Sequence, residues 1–533
     1  MKSNLGLAGA FLLLSQTIFP SIVTTLNNND PLPLYTSNFP YAYLASGEKD
    51  FITGSSYNKD PKYFNLTVTP FYQRSNSGKN QAGVKVNTGD LTGRWNMLAL
   101  LPYASNSFGS TTNDNTTDIP SSITDGYPTA VSTIGDDLLT CISDIGISSL
   151  PSELQSIPGL ISLQNDRQLF GFFSVPIEYR KRGVRFSASA RLADFGVSAQ
   201  FGVVDIAQRV KFYDMITTNT NGEKCINSDC PTITSSTTGT QALIYFLNPF
   251  PSGIVSLAQW TRVVDCVKNE VMNKRERIAN AIGIDLSDYS STSIEDLQVE
   301  LFWRHITAIN TKKCRGGNWP SFIFMPFVSA GGTIALANAR DQNRAFSLSA
   351  GNNSHSTVRF NAGFTMDFYN SFEIGACAGF THFNDKNFNS YRIPNNKYQN
   401  GMYPFKTRVN YRPGNTWHTS VFMNAYNYED RFSYYAEYVW IAHNQDKITL
   451  LNPLDVKDLA TIPTGQTPDT GDTKGFKPSI LEDKTAWSVQ VINTGLTWMA
   501  SPNFTLGANC QIPIGRRNAY KSTTLGASIE LIY

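Results

Sequence analysis

The chain has 533 residues, a formal net charge of +2 and only 16% charged residues. That balance supplies neither a basic surface for nucleic acid nor an acidic tail. No run of about 18 apolar residues follows the N-terminus, which excludes a transmembrane helix beyond it.

Met1-Lys2 followed by the apolar run Leu5–Leu14 has the layout of a secretory signal, one positive residue ahead of a short apolar core. A short buried helix is the competing reading. No Ala-x-Ala motif follows, so cleavage is expected between Ser15 and Thr25, which sets residues 1–25 apart. Residues 26–62 are rich in Asn, Pro, Tyr and Ser, without periodicity, and read as an irregular leader.

Phe64, Leu66, Val68 and Tyr72 then alternate with Asn65, Thr67 and Thr69. Successive strand side chains point to opposite faces, so this spacing predicts a strand. A second is expected around Leu91–Leu101, before a polar loop over 103–128. Leu138, Leu139, Ile142, Ile145 and Ile147, with Asp136-Asp137 near the start, predict a short helix or two within 130–165. The clearest alternation lies at 168–205. Val184, Phe186, Ala188, Ala190 and Leu192 oppose Arg185, Ser187, Ser189 and Arg191. Phe195, Val197, Ala199, Phe201 and Val203 oppose Gly196, Ser198, Gln200 and Gly202. Lys181-Arg182-Gly183 reads as a turn after a strand at about 169–180.

Residues 206–320 break this rhythm. A polar loop holds Cys225 and Cys230, and Trp260–Ile282 carries Val263, Val264, Val267, Val271 and Ile278 at helical spacing. Ser293-Ile294-Glu295-Asp296 resembles a capping box, predicting a second helix to about Asn310. The segment reads as a helical insertion in a long loop, or more sharply as a plug. Alternation returns at Phe322–Ser329, about Ala345–Gly351, Val358–Phe368, Phe372–Phe380, Trp417–Asn427, Phe432–His443, Ala486–Trp498 and Phe504–Ile512. Between these lie long polar loops at 383–416 and 444–484, with one further strand possible at Phe405–Tyr411, and short turns at 369–371, 428–431 and 500–503.

In the last stretch Leu525, Ala527, Ile529, Leu531 and Tyr533 share one face and Gly526, Ser528, Glu530 and Ile532 the other. A closing strand that ends on an aromatic, after many strands of about ten residues, resembles bacterial outer-membrane β-barrel proteins of the porin type. The resemblance implies an all-β transmembrane antiparallel barrel of about 14–16 strands with a helical insertion. Strands would occupy 63–205, with a long loop at 103–167, and 321–533. Ile529, Leu531 and Tyr533 would carry the barrel-closing signal, and the location would be the bacterial outer membrane. Short turns would face the periplasm and long loops the outside. The three strands read between loops 102–167 and 206–320 spoil that parity, which requires either an unseen strand in one of these segments or a substantial periplasmic segment.

By alternation Arg185, Arg191, Arg359, Asp367, Glu373, Glu437 and Glu530 point into the lumen, where charges of both signs would hold water and tune passage. Simple ion-paired lumen residues are the plainer reading. Tyr72, Phe368, Phe372, Phe432 and Tyr533 would form interfacial girdles. The expected function is passive diffusion of small hydrophilic solutes. The partners the resemblance implies are outer-membrane lipid, those solutes and, since trimers are common among porins, further copies of the chain; nucleic acid, metal and cofactor are not among them. A surface structural or adhesive protein with a plugged barrel is the alternative. Seven cysteines leave at least one unpaired within the chain; Cys225 and Cys230 could form a disulfide. The five histidines, His305, His355, His382, His418 and His443, accompany no nucleophile elbow or metalloprotease motif, so catalysis is not expected.

Overall fold

Period-two patterning closes into one continuous wall. The computed structural model describes residues 64–91, 95–97, 100–101, 129–145, 172–192, 194–211, 214–215, 257–305, 307–314, 317–368, 372–394, 401–404, 406–429, 431–451, 476–501 and 503–533. In chain order the elements are β1 (Phe64–Lys79), α1 (Thr129–Ser143), β2 (Ile177–Leu192), β3 (Phe195–Val210), α2 (Leu257–Val267) and α3 (Arg275–Ala281). Then come β4 (Tyr289–Ile294), β5 (Leu297–Arg304), β6 (Thr307–Cys314), β7 (Gly317–Ile334), β8 (Thr357–Phe368) and β9 (Phe372–Phe383). The rest are β10 (Lys386–Arg392), β11 (Lys406–Arg412), β12 (Thr416–Glu429), β13 (Phe432–His443), β14 (Lys447–Leu450), α4 (Pro478–Glu482), β15 (Trp487–Ser501), β16 (Phe504–Arg517) and β17 (Ala519–Ile532).

The wall runs β1-β2-β3-β5-β7-β8-β9-β12-β13-β15-β16-β17 and back to β1, a closed antiparallel barrel of twelve strands. The closing strand β17 pairs with β1 in the register Leu66↔Leu531 and Val68↔Ile529. Past its end, the Tyr533 amide donates to the Phe64 carbonyl at 2.8 Å. The short turns β2–β3, β8–β9, β12–β13 and β15–β16 lie at the end that holds both Phe64 and Tyr533, the short-turn end; the long connections lie at the other, where Asn518 alone joins β16 to β17. Closure leaves no unpaired edge on the barrel.

Each wall strand shows its apolar side outward. On β13, Phe432, Tyr434, Tyr438 and Trp440 are exposed, while Tyr435, Glu437, Val439, Ile441 and His443 are buried. On β17, Leu525 and Ile529 are exposed and Ser522, Thr524, Ser528 and Glu530 buried. Phe64, Phe195, Phe368, Phe372, Phe432, Trp498 and Tyr533 are exposed around the short-turn end. Tyr72 is exposed further up the wall.

The count is twelve, not 14–16, because several expected strands do other work. Leu91, Trp95, Met97, Leu100 and Leu101 are buried in the core of a cap over the mouth, and among the described residues of that run only Trp95–Asn96 is strand. Residues 345–351 form part of a loop, and β11 lies in a separate three-stranded sheet, β10-β11-β14. Lys181-Arg182-Gly183 is no turn: β2 passes straight through it. The helix expected after Ser293 is absent. Residues 289–304 are instead the strand β4–β5, which is the one missing from the parity count. Wall strands also exceed the expected ten or so residues; β1, β2 and β3 have 16 each, because their upper ends continue into the cap. Residues 1–63, including the expected signal, lie outside the described residues.

The cap is a core of its own. α1 packs on α2 and α3 through Val131, Ile134, Leu138, Ile142, Val263, Val267, Val271 and Ile278. A disulfide joins Cys141 of α1 to Cys266 of α2. Cys225 and Cys230, the pair suggested by the sequence, lie outside the described residues.

Candidate functional site

The inner wall carries the chemistry, and a β-bulge sets its upper part. β3 pairs β4 at Val203↔Ile294 and β5 at Gln200↔Gln298, so Glu295 and Asp296 both stand opposite Gly202. The extra residue turns both carboxylates inward, and both are buried. Gly202 must lack a side chain, since a Cβ there would lie 2.4 Å from Glu295 Oε2. Glu295 accepts from Arg185 Nε at 2.7 Å and Nη2 at 2.8 Å, and Lys181 Nζ is 2.7 Å from its Oε1. The Arg185 guanidinium also lies 4.2 Å over the Phe71 ring.

Asp296 holds the loop 335–356 in place. Its Oδ1 accepts from the Leu336 and Ala337 amides at 3.0 and 2.8 Å, and its Oδ2 from the Asn352 amide at 2.6 Å. Lys181 Nζ donates to the Ala350 carbonyl at 3.0 Å. Ala337 and Ala350 pack on Phe71, Val204 and Ile206, which face inward from β1 and β3. This loop therefore folds into the upper lumen. The plug considered for 206–320 is not how that segment is used: its described helices build the cap.

Lower in the barrel the ionisable groups form separate small networks. Arg359 Nη2 is 3.4 Å from Glu300 Oε2, and Asn361 Nδ2 donates to Glu300 Oε1 and Ser329 Oγ at 3.0 Å each. Glu437 accepts from Asn493 at 3.1 Å and from the Tyr435 hydroxyl. Glu530 accepts from Asn65. Asp367 and Glu373 are directly opposed partners in the β8–β9 ladder, near the short-turn end. Arg191 is half-buried at that end, within electrostatic reach of Arg304 and Asp194.

Six of the seven lumen candidates, all but Arg191, are thus buried inward-facing side chains, spread along the wall rather than gathered into one site. Inward-facing Thr69, Thr365, Thr381, His418, Gln511 and Thr524 each have a buried polar atom with no hydrogen-bond partner among the described residues.

The architecture is a closed antiparallel β-barrel, apolar outside and polar inside, the pattern of barrels that span a bilayer. No family model matches the sequence, and no curated protein matches it. Among solved structures the chain is similar to an outer membrane channel from Pseudomonas putida F1, with a TM-score of 0.39, 7% identity, and 90% of this chain and 98% of that one covered. It is similar to the translocator domain of the autotransporter NalP from Neisseria meningitidis (TM-score 0.30, 5% identity, 94% and 99% covered). A FadL homologue from Pseudomonas aeruginosa gives a TM-score of 0.26 at 10% identity, with 97% and 98% covered.

Lys181, Glu295, Asp296, Glu300 and Arg304 are inner-wall residues that sequence reasoning missed. Leu297, Val299, Leu301 and Trp303 alternate with Gln298, Glu300, Phe302 and Arg304, so the signal was present in β5. Four of the five histidines make local hydrogen bonds. His443 lies between Thr416 Oγ1 (2.8 Å from Nδ1) and Asp446 Oδ1 (2.9 Å from Nε2), a hydroxyl–imidazole–carboxylate series. All three are buried, and Asp446 also accepts from the Tyr411 hydroxyl and the Gly414 amide, which fastens the loop after β13 to the rim. His382 meets Asn415 at 2.8 Å and His305 meets Asp194 at 2.9 Å. His355, in the loop 335–356, contacts the Asn384 carbonyl, and burial lowers its imidazole pKa.

Proposed function

We propose that this chain is an outer-membrane channel for small hydrophilic solutes, with its outer mouth narrowed by the loop 335–356 and covered by the cap. The unpartnered polar atoms around the inner wall carry the reading. Buried polar groups are nearly always satisfied, and on a lumen wall water is what satisfies them. The exposed apolar belt supports insertion in a bilayer, and the inward charges would set selectivity. The solute gradient would drive passage, and no residue would act as a catalyst.

A second reading is favoured by one observation. The lumen is so well packed along its length that the charges Arg185, Asp367, Glu373, Glu437 and Glu530 are all 3% exposed or less, which suits a plugged barrel that anchors a surface structure. Liposome swelling separates the two. Refolded protein in vesicles should admit small sugars, and at a rate that falls steeply with sugar size. Heat-modifiable insertion without swelling would favour the anchor. A protein that stays soluble without detergent would overturn both.

A further inference from the structure

A partly open chamber of about 140 Å³ lies between the loop 335–356 and the cap, walled by parts of several outer connections. Its wall has two kinds of surface. One is aromatic: Trp95, Phe346, Tyr391, Tyr403, Tyr411 and Tyr520. Trp95 and Phe346 are in ring contact at 4.8 Å, and the Tyr179 and Tyr520 rings meet edge to face at 5.7 Å. The other is cationic: Arg340, Arg392 and Lys484 line the chamber, and among the described residues no carboxylate does.

The three cations are held differently. Arg392 is spent on the fold, donating to the carbonyls of Ile282, Gly283, Gln342, Tyr403 and Pro404 at 2.8–3.0 Å. Arg340 is anchored by its backbone, whose amide donates to Asn353 Oδ1 at 2.7 Å. Its side-chain Nε is buried with no hydrogen-bond partner among the described residues. The phenols of Tyr391 and Tyr403 lie within reach of its charge. A buried guanidinium donor left open beside phenol donors, on a wall without carboxylates, is complementary to an anion. The rings add a flat apolar body to the requirement, and a cavity of roughly 150 Å³ is known to accommodate one benzene ring.

We infer that this chamber is a binding site for a small ring-bearing monocarboxylate, with Arg340 taking the carboxylate and the Trp95–Phe346 pair bordering the ring. Benzoate is the simplest member of that class. The inference goes beyond the channel reading, because occupancy of the chamber does not require that the lumen conduct.

Titration calorimetry on the full-length, detergent-refolded protein tests it with benzoate, benzyl alcohol, acetate and benzylamine. Benzoate should bind at one per chain. Benzyl alcohol, with the ring but no charge, and acetate, with the charge but no ring, should each bind at least tenfold more weakly, and benzylamine should not bind. Arg340→Met should weaken benzoate at least tenfold while heat-modifiable mobility is kept, and Arg340→Lys should recover part of the loss. If Arg340→Met fails to fold, the four-ligand series on the unaltered protein still decides the matter. No heat with benzoate, equal affinity for benzoate and benzyl alcohol, or full affinity in a folded Arg340→Met protein would each overturn the proposal.

Discussion

At the scale of single residues the bulge carboxylates bear most weight. Glu295 neutralises two buried cations, Lys181 and Arg185, at 2.7 Å each. Removing one member of a buried ion network leaves uncompensated charge behind, which costs about 3–5 kcal/mol. Glu295→Gln is therefore expected to lower the unfolding free energy of the refolded protein by that amount, read as a lower urea midpoint, whereas Glu276→Gln, exposed on α3, should change it little. Equal midpoints would mean that Lys181 and Arg185 find other partners. Lys484 gives a pH effect in the cap. Burial lowers its pKa to about 8, below the ordinary value of 10.5, with Asp483 partly opposing the shift. The unfolded chain holds this proton more tightly, so between about pH 8 and 10.5 unfolding takes up a proton. Stability from this group thus rises with pH across that window and is lowest below pH 8. Lys484→Met should remove the slope and raise stability at pH 7 by roughly 1–2 kcal/mol, discounted for partial exposure of the amine. An unchanged slope in urea midpoints over that range would contradict it.

At the scale of elements, what the sequence revealed follows from the reach of each signal. Strand alternation is local, so β8, β9, β13 and β17 were readable with their faces, down to the inward Glu437 and outward Trp440. The bulge defeats that signal. An extra residue at Glu295-Asp296 reverses the parity of β4 relative to β5, and Ser293-Ile294-Glu295-Asp296 imitates a helix start. Leu91–Leu101 misleads for another reason: an apolar run buried all round can as well be cap core as strand. The inward fold of 335–356 had no local mark, because it depends on one distant carboxylate capping three backbone amides. Nor did the Cys141–Cys266 bridge, which spans 125 residues. A closed loop of that size removes about 4–5 kcal/mol of conformational entropy from the unfolded chain. The Cys141→Ser, Cys266→Ser double variant should accordingly lose the cap's resistance to trypsin, with faster cleavage at Lys268 to Arg277, while the barrel keeps its heat-modifiable mobility. Unchanged cleavage would mean that the helix packing alone holds the cap.

At the scale of the molecule, three layers divide the work. The wall separates an apolar exterior from a polar interior, as a bilayer demands of a barrel. The loop 335–356 narrows the upper lumen, and the cap covers it with a core and a disulfide of its own. Because Asp296 caps both ends of that loop, it links wall and constriction. Single-channel conductance in a planar bilayer, comparing the unaltered protein with Asp296→Ala, tests this account most directly. Expected are small ohmic steps for the unaltered chain and larger or noisier steps once the loop loses its anchor. Stable insertion of both proteins with no conductance from either would contradict the channel reading and leave the plugged anchor in its place.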